Sequence, residues 1–250
     1  MATAVDIKSK DHWQERVDLA AAFRWTARLD MHEAVANHFS LAVSDDGKQF
    51  LMNPDCRHFS RIKASELLLL DADDQETMSR PDAPDATAWC LHGRIHAKLP
   101  QARCVLHVHP KHATVLATLE DSTIYPIDQT TARFFEQIAL DDGYEGMALG
   151  DDEGDRIASK LGNRSVLMMG NHGVMVVGKS AAQAFDTLYF LERAAETMVM
   201  AYMTGKPLRL LSDEVARRTA QQWADYPNYG EKHLAELKRT LDEEEPDYRT

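Results

Sequence analysis

The sequence predicts an α/β fold in which a sheet is covered by helices, and three observations carry that expectation. Short β-prone stretches are interleaved with longer stretches of helical periodicity along the whole chain. Two pairs of β-prone stretches are joined by turn sequences, Ser44-Asp45-Asp46-Gly47 and Gly170-Asn171-His172-Gly173, the punctuation expected of hairpins. A chain of 250 residues, 44% of them hydrophobic, is long enough to bury one substantial core.

In order, Trp13 to Leu29 carries apolar residues at Trp13, Val17, Ala20, Ala21, Phe23 and Ala27, the spacing of a helix with one buried face. Two strands are expected at 36–43 and 49–52 around Asp46-Gly47, and a second pair at 165–169 and 174–177. Helical stretches are expected at about 60–70, 83–97, 110–119 and 150–160. Ala181 to Tyr202 predicts a long helix, with Phe185, Leu188, Leu191, Ala195, Met198, Val199 and Tyr202 on one stripe. Ser180 is available to cap it, and Gly205 and Pro207 end it. A shorter helix follows from Ser212 to Trp223. The acidic tail from Asp225 reads as a solvated surface helix and a frayed end. The organisation expected is therefore a main domain over 1–210 and a helical extension and tail over 211–250.

Composition narrows the partners. A formal net charge of -12 argues against a nucleic-acid partner, whose phosphate backbone is met by clustered Lys and Arg, and favours a small organic molecule. The longest apolar runs, such as Leu67 to Leu70, fall far short of the roughly 20 residues that span a membrane. The start of the sequence, Met1 to Lys8, lacks the apolar region of a secretory signal, so the cytoplasm is the expected location. Cys56, Cys90 and Cys104 have no paired metal spacing and read as buried structural thiols.

The densest chemical signal is Cys104-Val105-Leu106-His107-Val108-His109-Pro110. Side chains two apart on a strand share a face, so His107 and His109 can grip one ion between them. Neutral imidazole is a common ligand of zinc and its neighbours, and a divalent metal is the first hypothesis. A tight site needs a third ligand. His172, on a turn flanked by Gly170 and Gly173, is the best donor, though a plain turn residue would look the same.

Several strings then match a known family in order and spacing. They are Asn37-His38-Phe39-Ser40, Phe50-Leu51-Met52-Asn53-Pro54, the His92/His96 segment running to Pro100, His107-Val108-His109-Pro110, and Gly170-Asn171-His172-Gly173 with the stretch to Gly178. Over roughly residues 12–205 the chain resembles the class II aldolase/adducin family, its adducin-like branch in particular. The resemblance implies a three-layer α/β/α fold with a mostly antiparallel central sheet and a cyclic homotetramer. It also implies a metal site, most often zinc, ligated by His107, His109 and His172. Iron, manganese or cobalt would suit the same ligands.

The departures from the family pattern matter as much. Aligning on Trp89, His92 and Pro100 puts Ala88 where the family's catalytic glutamate lies, and a methyl group moves no protons. The pairs that cradle substrate phosphate fall on Asn37-His38 and Asp55-Cys56, and an aspartate there repels a dianion. The family's proton-donating tyrosine falls near Thr130. What results is a divalent-metal-dependent lyase, aldolase- or decarboxylase-like, acting on a small non-phosphorylated hydroxy or keto carbonyl compound. Proton transfer is open between His92, a metal-bound water, Tyr226 and Tyr229, and the candidate substrate-binding residues are Asn37, His38, Ser40 and Asn53. The competing expectation is a non-catalytic, adducin-like oligomeric module with a structural metal.

Overall fold

The computed structural model describes residues 11–143 and 151–250 of the chain. The start of the sequence read above for a leader, and position 150 at the edge of one expected helix, lie outside the described residues. Among the described residues, eight α-helices surround a seven-stranded sheet: α1 (Trp13–Arg28), α2 (Ala86–Lys98), α3 (Lys111–Ala117), α4 (Gln129–Ala132), α5 (Asp151–Leu161), α6 (Ala181–Met203), α7 (Asp213–Ala224) and α8 (Tyr229–Glu244). The strands are β1 (His38–Ala42), β2 (Gln49–Met52), β3 (Leu68–Asp71), β4 (Cys104–Val108), β5 (Ile138–Asp141), β6 (Val166–Met169) and β7 (Gly173–Gly178). They lie in the order β3-β2-β1-β4-β7-β6-β5, antiparallel throughout except for the parallel pair β5 and β6.

Strand alternation sorts the core into two layers. Leu106 and Val108 of β4 face one side, with Phe23 of α1, Leu116 of α3 and Leu188 of α6. Val105 of the same strand faces the other, with Leu91 and Ile95 of α2 and Ile157 of α5. His107 shares the parity of Val105, so it points into the layer between the sheet and helices α2 and α5. The register of β1 against β4 sets His38 opposite His107 and Ser40 opposite Val105, which brings both β1 side chains to that same face.

The expected long helix forms as α6, and Ser180 Oγ accepts from the Gln183 amide at 3.1 Å as its cap. The helix expected at 60–70 does not form. Two 3-10 turns, Phe59–Arg61 and Ala64–Glu66, lead into β3, where Leu68–Asp71 pair with β2. A run of four leucines satisfies either period, and the open edge of β2 settles it by offering ladder hydrogen bonds. Strand β5 had no counterpart in the expectations. The tail is packed, not frayed: α8 lies on α6 and α1, and Tyr248 is fully buried beside Val17, Ala20 and Leu241. Arg24 ties it down by ion pairs to Glu245 and Asp247, both at 2.9 Å. Of the cysteines, Cys104 is buried, Cys90 is partly buried and Cys56 is exposed, so the expectation of three buried thiols fails at Cys56, which sits on a surface turn.

Candidate metal centre

His107 lies near the end of β4, His109 follows one residue beyond the strand, and His172 comes from the β6–β7 turn. That turn is tight: Asn171 takes φ +56°, and the His172 amide donates to Met169 O at 3.1 Å. It returns the chain beside β4, because β4 and β7 are paired with His107 opposite Met175. One ligand atom from each of the three rings lies within 4.8 Å of the others, and the ring centroids are 4.7–5.0 Å apart.

Hydrogen bonds fix which nitrogens face inward. A carbonyl can only accept, so His107 Nδ1–H donates to Val174 O at 3.1 Å. His109 Nδ1 lies 2.6 Å from Glu33 Oε2, the carboxylate–histidine pairing typical of metal-ligating imidazoles. In neutral rings both Nε2 atoms are then left with lone pairs, and the two atoms lie 3.2 Å apart. Two lone pairs so placed repel, whereas two nitrogens about 2.0–2.1 Å from one tetrahedral ion would sit about 3.3 Å apart. The donor set therefore fits a divalent ion.

Electrostatics point the same way. Burial pushes His107 well below the ordinary imidazole range, and the neighbouring rings of His38, His172 and His109 add to it. Burial, then the proximity of His109, lowers His172 to about 4. Neutral imidazole is the form that binds metal. Gly173 completes the fit: a Cβ there would lie 2.3 Å from His109 Cδ2, inside the ring's contact radius, so only glycine lets the ring settle.

The three histidines line a cavity of about 290 Å³ together with His38, Thr87, Leu91, Asp141, Glu153 and Arg156. Arg156 is the one Lys or Arg among its described lining residues. Its guanidinium is already held by both oxygens of Asp141, at 2.7 and 2.8 Å, and by Glu153 at 2.7 Å. A single cation balanced by two carboxylates leaves no surplus positive charge for a phosphate dianion.

The other sequence candidates fall in different places. His38 lines the cavity; His92 is fully buried behind it, and Ser40 is buried too. Asn37 and Asn53 are buried and hold backbone: Asn37 Oδ1 accepts from the Glu33 amide at 2.7 Å, and Asn53 Oδ1 from the Phe39 amide at 3.1 Å. Ala88 packs with Phe50, Met52 and Leu70, while Thr87 and Leu91 of the same helix face the cavity. Tyr226 and Tyr229 line a separate cavity of about 520 Å³, with Trp223 and Arg133, that shares no lining residue with the histidine site. Glu33, Asp141, Glu153 and Arg156 escaped sequence reasoning, since nothing local marks a charged residue as a cavity residue. Spacing could have exposed one further feature, because His38 and Ser40 at i,i+2 on a strand and His92 and His96 at i,i+4 on a helix make facing polar stripes.

Comparison with known proteins agrees with the fold. The model of the class II aldolase and adducin N-terminal domain matches residues 17–199. A putative aldolase class 2 protein of Caulobacter vibrioides is 32% identical over 209 residues, covering 84% of this chain and 80% of its own. Decarboxylase NovR of Streptomyces niveus is 28% identical over 228 residues, covering 89% and 84%. Among solved structures, an aldolase II superfamily protein from Pseudomonas syringae superposes with a TM-score of 0.85 at 30% identity, covering 95% of this chain and 96% of that one. A sheet with one parallel pair, a three-histidine cluster at the end of β4 and a family match across most of the sequence converge on one statement: the chain belongs to the class II aldolase and adducin family.

Proposed function

We propose that this chain is a divalent-metal-dependent lyase, of aldolase or decarboxylase type, acting on a small non-phosphorylated hydroxy or keto carbonyl compound. The observation that carries the reading is the pair of Nε2 atoms 3.2 Å apart, with His172 closing the triangle beside an open cavity. Zinc is the ion proposed, and His107, His109 and His172 are the residues that would hold it. A divalent ion held there would supply Lewis acidity toward carbonyl and hydroxyl oxygens.

The chain's own groups do the rest. Glu33 orients His109 through Nδ1, and Val174 O orients His107. His38 offers the cavity its remaining ring nitrogen, which suits a substrate hydroxyl. Asp141 and Glu153 neutralise Arg156 and disfavour phosphorylated substrates. The relative named as a decarboxylase, aligned along 89% of this chain, supports the decarboxylase form of the reading. The homotetramer, the cytoplasmic location and the division at residue 210 belong to the same proposal. Among the described residues, no helix is long and apolar enough to cross a membrane.

The test is metal analysis of purified protein followed by a screen of hydroxy and keto acids for carbon dioxide or aldehyde release. One bound ion per chain is expected, lost in the His107→Ala and His109→Ala variants, together with turnover of a non-phosphorylated acid. A folded protein without metal affinity would defeat the reading. A fully loaded but inert protein would favour the oligomeric module.

A further inference from the structure

Behind the metal centre, five groups form one buried line from the cavity to the connection between α2 and β4. His38 Nδ1 lies 2.7 Å from His92 Nε2, and His92 Nδ1 lies 2.5 Å from Ser40 Oγ. Ser40 Oγ lies 2.7 Å from His96 Nε2, and His96 Nδ1 lies 2.7 Å from Ala102 O. All four side chains are buried, and the line has an architectural cause. His38 and Ser40 sit two apart on β1, and His92 and His96 sit four apart on α2, so two polar stripes face each other between sheet and helix.

The direction of every proton follows from the last acceptor. Ala102 C=O can only accept, so His96 donates from Nδ1, and a neutral ring carries its only proton there. Burial holds His96 neutral by lowering it to about 4, and holds His92 neutral as well. His96 Nε2 must then accept, which takes the single hydroxyl proton of Ser40. Ser40 Oγ in turn accepts from His92 Nδ1–H. His92 Nε2 accepts from His38 Nδ1–H. One backbone carbonyl, read through four hydrogen bonds, leaves His38 Nε2 with a lone pair. No described residue provides that nitrogen with a hydrogen-bond partner, and His38 lines the cavity, its ring centroid 4.9 Å from that of His107.

We propose that Ser40, His92 and His96 are positioning residues that hold His38 in its Nδ1–H tautomer, so that Nε2 is presented to the cavity as a hydrogen-bond acceptor. This rests on the lyase reading for its consequence and deepens it. An acceptor beside the ligand histidines selects substrates that bring a hydroxyl O–H to that position, and disfavours a carboxylate or ether oxygen there. Without the line nothing among the described residues would fix which ring nitrogen carries the proton, because the tautomer of a neutral histidine is set by the hydrogen bonds its nitrogens make.

The experiment is long-range proton–nitrogen correlation NMR on the whole protein labelled in its histidine rings, at pH 7.5 and without added metal, with His38 assigned from the His38→Gln spectrum. The expected result is one neutral Nδ1–H form each for His38, His92 and His96. Ser40→Ala should release His38 into a mixture, with the Nε2–H form rising severalfold, and Ser40→Thr, which keeps the hydroxyl, should restore the single form. A wild-type His38 carrying its proton on Nε2 would overturn the proposal, and that result does not depend on either Ser40 variant folding. A folded Ser40→Ala variant with unchanged His38 populations would overturn it too. Failure of the lyase reading leaves a different trace, since absent metal affinity or turnover does not alter these spectra.

Discussion

Replacing Gly173 by alanine tests the metal centre without touching a ligand. The added Cβ would stand 2.3 Å from His109 Cδ2, 3.2 Å from its Cγ and 2.8 Å from Val108 O. Carbon atoms settle about 3.5–4.0 Å apart, so the ring has to retreat by roughly 1 Å. Zinc–nitrogen bonds of about 2.0–2.1 Å tolerate only about 0.2 Å, so His109 would drop out as a ligand. Losing an outer-shell partner alone typically costs about 10–100-fold in affinity, and losing a ligand should cost about 100-fold or more. At zinc about 100 times the wild-type dissociation constant, binding adds about 2.7 kcal/mol, and in the variant this falls to about 0.4 kcal/mol. In a chain of this length that is a zinc-dependent melting rise of about 5–10 °C, shrinking to about 1 °C. The metal-free variant should also melt lower, as overpacking costs about 1–3 kcal/mol. Thermal melts with and without zinc, alongside chelator competition, read both effects. A folded variant that keeps the full zinc-dependent rise would refute the site's geometry.

Three further outcomes are expected. Glu33→Gln should weaken metal binding about tenfold, the low end of the range for an outer-shell carboxylate because Glu33 is largely exposed, and an unchanged dissociation constant would remove Glu33 from the site. Acid should destabilise the fold through the buried neutral histidines. Unfolded His96 takes up a proton near pH 6.5 but folded His96 only near 4, so stability is fully present above about 6.5 and declines as pH falls to about 4, by about 3 kcal/mol for this residue alone; equal denaturant midpoints at pH 7.5 and 4.5 would contradict it. Tyr248→Ala should cost about 3–5 kcal/mol in chemical unfolding, because the ring is fully buried and its hydroxyl donates to Asp242 Oδ1 at 2.9 Å; a loss below about 1 kcal/mol would mean the tail is not part of the core.

Most of the secondary structure was legible because it is local. The stripe from Phe185 to Val199 contains its own period, Asp46-Gly47 its own turn, and both appear where expected, while Tyr202 at the end of the stripe is exposed. Leu67 to Leu70 failed because four leucines carry no period, and the deciding partner, β2, is supplied from elsewhere in the fold. The acidic tail failed for a related reason. Its many charges dominate the local composition, while Leu234 and Leu241 of α8 meet Val17 and Ala20 from the opposite end of the sequence.

The site divides along the same line. The sequence by itself determined that His107 and His109 share a face, since alternation on a strand is a property of the backbone, and it marked His172 through two flanking glycines. Only the tertiary structure decided that the three rings converge, that Glu33 braces His109, and that His38, His92, Ser40 and His96 join into one line. Those contacts depend on registers such as His38 against His107, set between strands far apart in the chain by which faces must be buried, and no short window of residues contains that information.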